Sequence, residues 1–236
     1  ADVLIAAGVA RVVVAADDPF PAVNGQGYAR LREAGIAVTN GVRAAEAETS
    51  MRGFLTRQRL GRPAVTLKLA TSLDGRIARA DGESKWITGA EARAHAHLER
   101  ARHDAILVGR GTYVADAPQL DVRLAGLESR SPRRVLLTSQ GAPPEGWRAI
   151  AAAADIATLE GVNDLLVEGG AATAAAFLAA DLVDRLLLYR APILIGTGLA
   201  ALGDIGLTAL AEAHGRWRLA DSRLLGSDRL DAYVRA

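Results

Sequence analysis

Cysteine is absent from all 236 residues. That excludes disulfides, thiolate nucleophiles and any zinc site built on cysteine within this chain. The single methionine is internal, so the chain does not open on one. It runs almost at once into strand-like RVVVAA, the pattern of a processed, trimmed or incompletely represented chain. No apolar run reaches about eighteen residues and no charged-then-apolar leader is present, so neither a membrane span nor a secretory signal is readable. A cytoplasmic location is the expectation. Surplus charge is missing too: Lys plus Arg total 28 against 27 for Asp plus Glu. Such a balance gives no global pull toward nucleic acid or an anionic membrane, so any anion site must be local and its ligand small. Histidine is scarce, at 4 residues. His95 and His97, two apart on an expected helix, point to nearly opposite sides and cannot chelate together, so no metal site is expected.

What is present is apolar bulk, 50% of the residues, enough for a sizeable core. The first sixty residues read as α/β: a strand over 11–16, a turn-rich DDPFPAVNGQG, a helix over 28–34, a strand over 36–39 and a helix over 44–59. Gly61 and Pro63 close that helix and mark a boundary, giving units of 1–62 and 63–236. Beyond it the pattern predicts strands at 64–71 and 76–79 around an Asp74-Gly75 turn, then a helix from Thr88 or Gly89 to about Arg102. Next come a buried strand DAILVG, a short helix at GTYVADAP, a strand RVLLT and a small strand near Ile156. Strand DLLVEGG, an alanine-rich helix over 171–180, strand VDRLLLYRAPILIG and two late strands, 216–225 and 229–235, finish the chain. Strands alternating with helices and then a strand-only tail imply a mostly parallel sheet with an antiparallel edge, covered on both faces.

Four stretches carry chemistry. In VTLKLA, Val65, Leu67 and Leu69 alternate with Thr66, Lys68 and Ala70, which puts an ammonium on the second face of a strand, where it needs a partner or a ligand. In LLVEGGAATAAAF an apolar strand runs through Glu168, Gly169 and Gly170 into a helix of small residues, presenting backbone amides where a pyrophosphate fits. The plainer reading is a tight turn that needs glycine for its backbone angles; Glu168 at the carboxyl end of the strand, where α/β crevices lie, favours the site. In ILVGRGTYVADAPQLDVR, Gly109, Gly111 and Thr112 make a similar turn with Asp116 and Arg123 beyond, but the third glycine of the dinucleotide fingerprint is missing. On TGAEARAHAHLERARH, Arg93, His97 and Arg100 share one face, which suits a phosphomonoester or, equally, a solvated basic face balanced by Glu91 and Glu99. Trp86 reads either as core or as a flat wall for a ring.

TLKLATSLDGRIA, GESKWITG, HDAILVGRGTYVADAPQLDVR, LLVEGG and LVDRLLLYRAPILIG, in this order over residues 63–236, resemble the reductase domain of the bifunctional riboflavin-biosynthesis deaminase-reductases. RVVVAADDPFPAVNGQGYARLREAGI resembles the C-terminal part of the deaminase domain of the same family. The resemblance implies a dihydrofolate-reductase-like fold preceded by a partial cytidine-deaminase-like α/β lobe. It implies NADPH-dependent reduction of the ribosyl group of 5-amino-6-(5-phospho-D-ribosylamino)uracil to ribityl, and a homodimer. By the same resemblance Lys68, Asp116 and Glu168 surround the sugar, with Asp116 orienting Lys68 or a hydroxyl. Ser84, Arg100, Leu120, Arg123 and Glu168 match substrate contacts, the two arginines suiting a phosphate. Ala70, Trp86, Thr112, Asp116, Ser139, Gly169, Gly170, Ala171 and Ala172 match positions lining NADPH. Ser139 falls near the adenosine 2′-phosphate, although SQG offers no arginine beside it. Ala117 and Tyr113-Val114 depart from the family pattern without touching a residue given chemistry here. A zinc deaminase needs His-x-Glu and Pro-Cys-x-x-Cys; with neither present, zinc and deamination belong only to a half missing from these residues. A rival of another class is a catalytically silent nucleotide-binding paralogue, against which stands the presence of Lys68, Asp116, Glu168 and both arginines.

Overall fold

The computed structural model describes residues 1–20 and 25–236; residues 21–24, inside the expected turn DDPFPAVNGQG, lie outside the described residues. The chain divides into two compact units, 1–62 and 63–236.

The first unit runs α1 (Asp2–Ala6), β1 (Arg11–Val13), α2 (Gln26–Glu33), β2 (Ala37–Thr39), α3 (Ala44–Ser50) and α4 (Arg52–Leu60). β1 and β2 pair in parallel over three residues each, so β1 is shorter than the expected 11–16. The single helix expected over 44–59 is two. Thr49 and Ser50 turn their hydroxyls back onto the carbonyls of Ala45 and Ala47, a local bond that competes with the helical ladder, and Met51 sits at the break. Gly61 closes α4 in the left-handed conformation, φ 68°, which favours glycine.

The second unit runs β3 (Ala64–Thr71), β4 (Arg76–Arg79), α5 (Ala90–Ala101), β5 (Ala105–Gly109), α6 (Arg110–Asp116), β6 (Arg133–Leu137), β7 (Trp147–Ile150), β8 (Asp164–Val167), α7 (Ala171–Ala179), β9 (Arg185–Arg190), β10 (Gly198–Ala200), β11 (Trp217–Leu225) and β12 (Asp228–Arg235). Eight strands form one sheet in the order β11-β12-β9-β3-β8-β5-β6-β7. From β9 to β7 all neighbours are parallel, while β12 and β11 add an antiparallel edge. The alternation in β3 settles which face is which. Val65, Leu67 and Leu69 enter the main core with Leu107, Val135, Leu165, Val167 and Phe177 of α7, whereas Ala70 packs on the other face with Ala92 of α5, Leu187 and Tyr189. Each fully buried leucine or phenylalanine contributes about 1.5–3 kcal/mol, so the main cluster supplies the larger share of the cohesion.

The strand expected near Ile156 is a correction. Residues Ala153–Thr158 form a 3-10 helix, because the Asp155 carboxylate accepts the amides of Ala151 and Ala152 and curls the chain. Ile156 is fully buried all the same, so its apolar signal reported burial rather than a strand. The strand that extends the sheet is β7, hydrogen-bonded to β6. β10, which pairs with β4, was also unforeseen. Among the described residues no helix is long and apolar enough to cross a membrane.

Candidate active site

The parallel strands end at one rim, the edge of an α/β sheet where crevices form. Lys68 stands near the carboxyl end of β3, and Glu168 directly follows β8, the neighbouring strand. Lys68 Nζ lies 3.7 Å from Glu168 Oε2, with side chains only 20% and 8% exposed. Arg100, projecting from α5, grips the same carboxylate with two prongs, Nε to Oε1 at 2.8 Å and Nη2 to Oε2 at 2.9 Å, the geometry for which its planar fork is suited. Burial alone would raise the Glu168 carboxyl, but the Lys68 charge together with the hydrogen bonds and charge of Arg100 hold it at about 2. The centre is therefore a buried carboxylate between two cations.

Around it the second face of the sheet closes in. The Tyr189 ring lies 5.8 Å from Lys68 Nζ, and its hydroxyl meets His95 Nδ1 at 2.8 Å. Burial pushes the Tyr189 phenol well above its usual range, so it serves as a neutral wall. His97, on the other side of α5 from His95, has Nδ1 3.1 Å from the Asp121 carbonyl and 3.2 Å from the Arg123 amide. Arg100 Nη1 donates to that same carbonyl at 3.0 Å. The expected common face of His97 and Arg100 is thus real, and it holds the backbone of the 121–123 loop. Arg93 leaves that face: its guanidinium carbon stands 4.8 Å from the Trp86 ring centroid. Trp86 is 66% exposed, which rules out the core reading.

Two glycine turns meet beside this centre. Gly109 and Gly170 cap α6 and α7 with ordinary φ of −80° and −73°, and Gly169 is not among the residues of positive φ, so the plain reading of the Gly169-Gly170 turn, glycine for its backbone angles, does not hold, while Gly109 does cap an ordinary helix. The reason is contact. A Cβ on Gly109 would lie 2.2 Å from Thr173 Oγ1, and one on Gly169 2.4 Å from Thr173 Cβ. Thr173, buried at 7% exposure, is wedged between the turns that follow β5 and β8. The Gly170 amide donates to Thr112 Oγ1 at 3.1 Å, which joins α6 to the start of α7. The amides of Ala171, Ala172 and Thr173 have no carbonyl four residues back within α7, and no acidic residue occupies its first turn.

The remaining expected residues sit as follows. Asp116 does not reach Lys68; its carboxylate is 3.4 Å from Lys85 Nζ. The cause is topological, since α6 follows β5 and the intervening β8 delivers Glu168 to Lys68 instead. Arg123 is exposed and pairs with Asp121 at 3.5 Å. Leu120, at φ 55°, buries its side chain against Ile106, Val108, Leu136 and Leu166. Ser84 and Ala70 are half-buried, and Ser139 is exposed just past β6. Sequence reasoning missed Lys85, Tyr189, His95 as a partner of Tyr189, and Arg110, whose Nη1 donates to the Gln140 carbonyl at 3.1 Å beside Ser139. No spacing rule links those pairs; only the sheet order brings them together.

A mostly parallel sheet with an antiparallel edge and a charged site at the strand ends defines a protein of the dihydrofolate-reductase-like class. The fold match to dihydrofolate reductase from Enterococcus faecalis has a TM-score of 0.54 at 12% identity, over 73% of this chain and 96% of that one. Residues 63–230 match the family model of the RibD C-terminal domain, and the chain belongs to the RibD family. The riboflavin biosynthesis protein RibD of Mycobacterium tuberculosis (strain CDC 1551 / Oshkosh) is 40% identical over 245 residues, covering 98% of this chain and 72% of that protein. Acinetobacter baumannii RibD superposes with a TM-score of 0.88 at 33% identity, over 100% of this chain and 75% of that one. A diaminohydroxyphosphoribosylaminopyrimidine deaminase/5-amino-6-(5-phosphoribosylamino)uracil reductase from Thermotoga maritima gives 0.86 at 28%, over 100% and 74%.

Proposed function

We propose that this chain reduces the ribosyl group of 5-amino-6-(5-phospho-D-ribosylamino)uracil to ribityl in riboflavin biosynthesis, with NADPH as the hydride source. The observation that carries the proposal is the Lys68–Glu168–Arg100 cluster, a buried charged centre at the strand ends next to the amide-lined start of α7. The name of the Thermotoga maritima relative supplies the substrate class. NADPH fits this rim: Gly169, Gly170, Ala171 and Ala172 offer backbone donors with little side-chain bulk, and the first turn of α7 has no carboxylate to repel a pyrophosphate. When bound, it would supply the hydride that ends on C1′ of the sugar.

The protein's own groups manage the proton and the orientation. Lys68 donates a proton to the ribose ring oxygen as the C1′–O bond breaks and the ring opens to the imine, so that negative charge does not build on that oxygen. Glu168 fixes the Lys68 ammonium, and Arg100 fixes Glu168. All three guanidinium nitrogens of Arg100 already have protein partners, so exposed Arg123 is the better phosphate anchor. Asp116, with Lys85, borders the sugar from the α6 side. Residues 1–62 form the C-terminal part of a deaminase-like domain, and two copies of the chain associate through the reductase unit.

The test is consumption of NADPH by the purified chain with the phosphoribosylamino-uracil substrate, with NADH in parallel. Substrate-dependent oxidation that yields the ribitylamino product is expected; tight NADPH binding without turnover would instead favour a silent nucleotide-binding protein.

A further inference from the structure

We infer that the chain carries a second anion site on the opposite rim of the sheet, built by Arg102, His103, Arg130 and Arg133 to hold a phosphate, free or on a small ester. Lys68 and Glu168 stand at the carboxyl ends of the parallel strands, whereas this cavity lies where β5 and β6 begin, at Ala105 and Arg133. It stands apart from the reductase site and does not depend on that reading. Its volume is about 250 Å³, short of the roughly 300–1,000 Å³ of pockets that take drug-sized ligands, so a small anion suits it better than a nucleotide.

The arginines leave most of their donors unused. Arg133 donates Nη1 and Nη2 to the carbonyls of Glu160 and Gly161 at 3.0 and 2.6 Å, which fixes its guanidinium at the wall. Arg102 is tied through one nitrogen, Nη1 to Glu99 Oε1 at 3.1 Å. The Arg130 side chain has no hydrogen-bond or ion-pair partner among the described residues. Each guanidinium has five N–H donors, so an anion entering the cavity meets several at once. His103 supplies the buried member, at 8% exposure. Its Nδ1 lies 2.6 Å from the Glu99 carbonyl, which can only accept, so Nδ1 carries the hydrogen. Nε2 has no partner among the described residues and is not sealed from solvent, so it opens on the cavity that His103 lines. Burial and the Arg185 charge hold the imidazole below its ordinary value, against the Glu99 carbonyl and the charges of Glu99 and Asp164. An anion beside Nε2 would favour the protonated ring.

The plainer reading is that Arg102 and His103 only complement the carboxyl end of α5. It accounts for neither Arg130 nor Arg133, which arrive on the segment leading into β6. Carboxylates do not cancel the charge either. Glu99 is already engaged by Arg185 Nη1 at 2.7 Å. Asp104 lines the cavity, but its Oδ2 accepts the amides of Asn163 and Asp164 at 2.8 and 3.0 Å. Three guanidiniums against that one carboxylate leave the wall positive.

The experiment follows the four histidines by NMR through pH titrations of the whole chain in sulfate, inorganic phosphate or glycerol 3-phosphate, with chloride at matched ionic strength as the reference. The His103 signal is assigned by its loss in His103→Asn. Sulfate does not titrate over this range, so a rise in the imidazole pKa reports contact rather than a change in the ligand. Each anion should raise the His103 pKa while the other histidines stay put in sulfate. The sulfate concentration giving half the response should increase about tenfold in Arg130→Ala, as expected for a lost charge-assisted hydrogen bond. Arg130→Glu, at an exposed position, should abolish the response. Tighter binding of glycerol 3-phosphate than of phosphate would identify an ester as the occupant, and the reverse order free phosphate. A His103 pKa indifferent to all three anions, a response that both Arg130 variants retain, or an equal response at every histidine would overturn the site.

Discussion

Lys68, Glu168 and Arg100 compensate one another, so each is costly to change alone. Lys68→Ala should abolish turnover with a modest loss of NADPH binding, because the proposed role places the residue at the sugar rather than at the nucleotide. Arg123→Ala should mainly raise KM for the phosphorylated substrate. Comparison of kcat and KM for the two variants tests the division, and equal small effects would remove it. Glu168 also sets an acid limit. Its carboxyl is lowered from 4.5 to about 2, so its pairing contributes in full above its unfolded pKa and is lost as pH falls from about 4.5 toward 2. Glu168→Gln leaves two buried cations short of a partner and should cost about 3–5 kcal/mol near neutrality. The stability gap from the wild type should narrow across that acid window in denaturant titrations; a gap independent of pH would contradict the assignment. Strand alternation and a carboxylate before a glycine turn made Lys68 and Glu168 legible. The partners of Asp116 and Arg100 were not, because Lys85 and the Asp121 carbonyl are brought in by folding rather than by spacing.

The elements around the site are joined by Thr173. The two glycines it touches were legible as turn residues, yet their purpose was not, because their backbone angles are ordinary and the contact partner belongs to a helix that either turn alone does not reveal. Gly109→Ala should therefore destabilise by overpacking, about 1–3 kcal/mol, despite the helix-capping position. Adding Thr173→Ala removes the Oγ1 atom in the way and should return part of that loss, a coupling that a double-mutant cycle in urea measures directly. Additive losses would show that the turns do not lean on Thr173. At this scale β3 was read in full over 64–71 and β5, β6 and β8 to within a few residues, whereas the strand expected over 183–196 is only Arg185–Arg190 and the parallel strand β7 was not foreseen. The helix over 44–59 and the strand near Ile156 failed where Ser, Thr and Asp side chains bonded the local backbone and overrode apolar periodicity.

At the scale of the molecule the two units differ in what sustains them. The three buried apolar clusters draw every member from residues beyond 63, as does the eight-stranded sheet. Residues 1–62 carry a two-stranded sheet of three-residue strands, with Leu31, Ile36 and Leu55 as their buried large apolar side chains among the described residues. A chain below about seventy residues rarely draws more than a few kcal/mol from one core, and a sheet of two short strands adds little. A fragment of residues 63–236 should then unfold cooperatively with a Tm close to that of the whole chain, whereas residues 1–62 alone should show no cooperative transition. Calorimetry of the two fragments checks both statements. If 63–236 melts much earlier than the intact chain, the first unit is part of what holds the reductase unit together; if the melting temperatures agree while NADPH consumption falls, its contribution lies in function rather than in the fold.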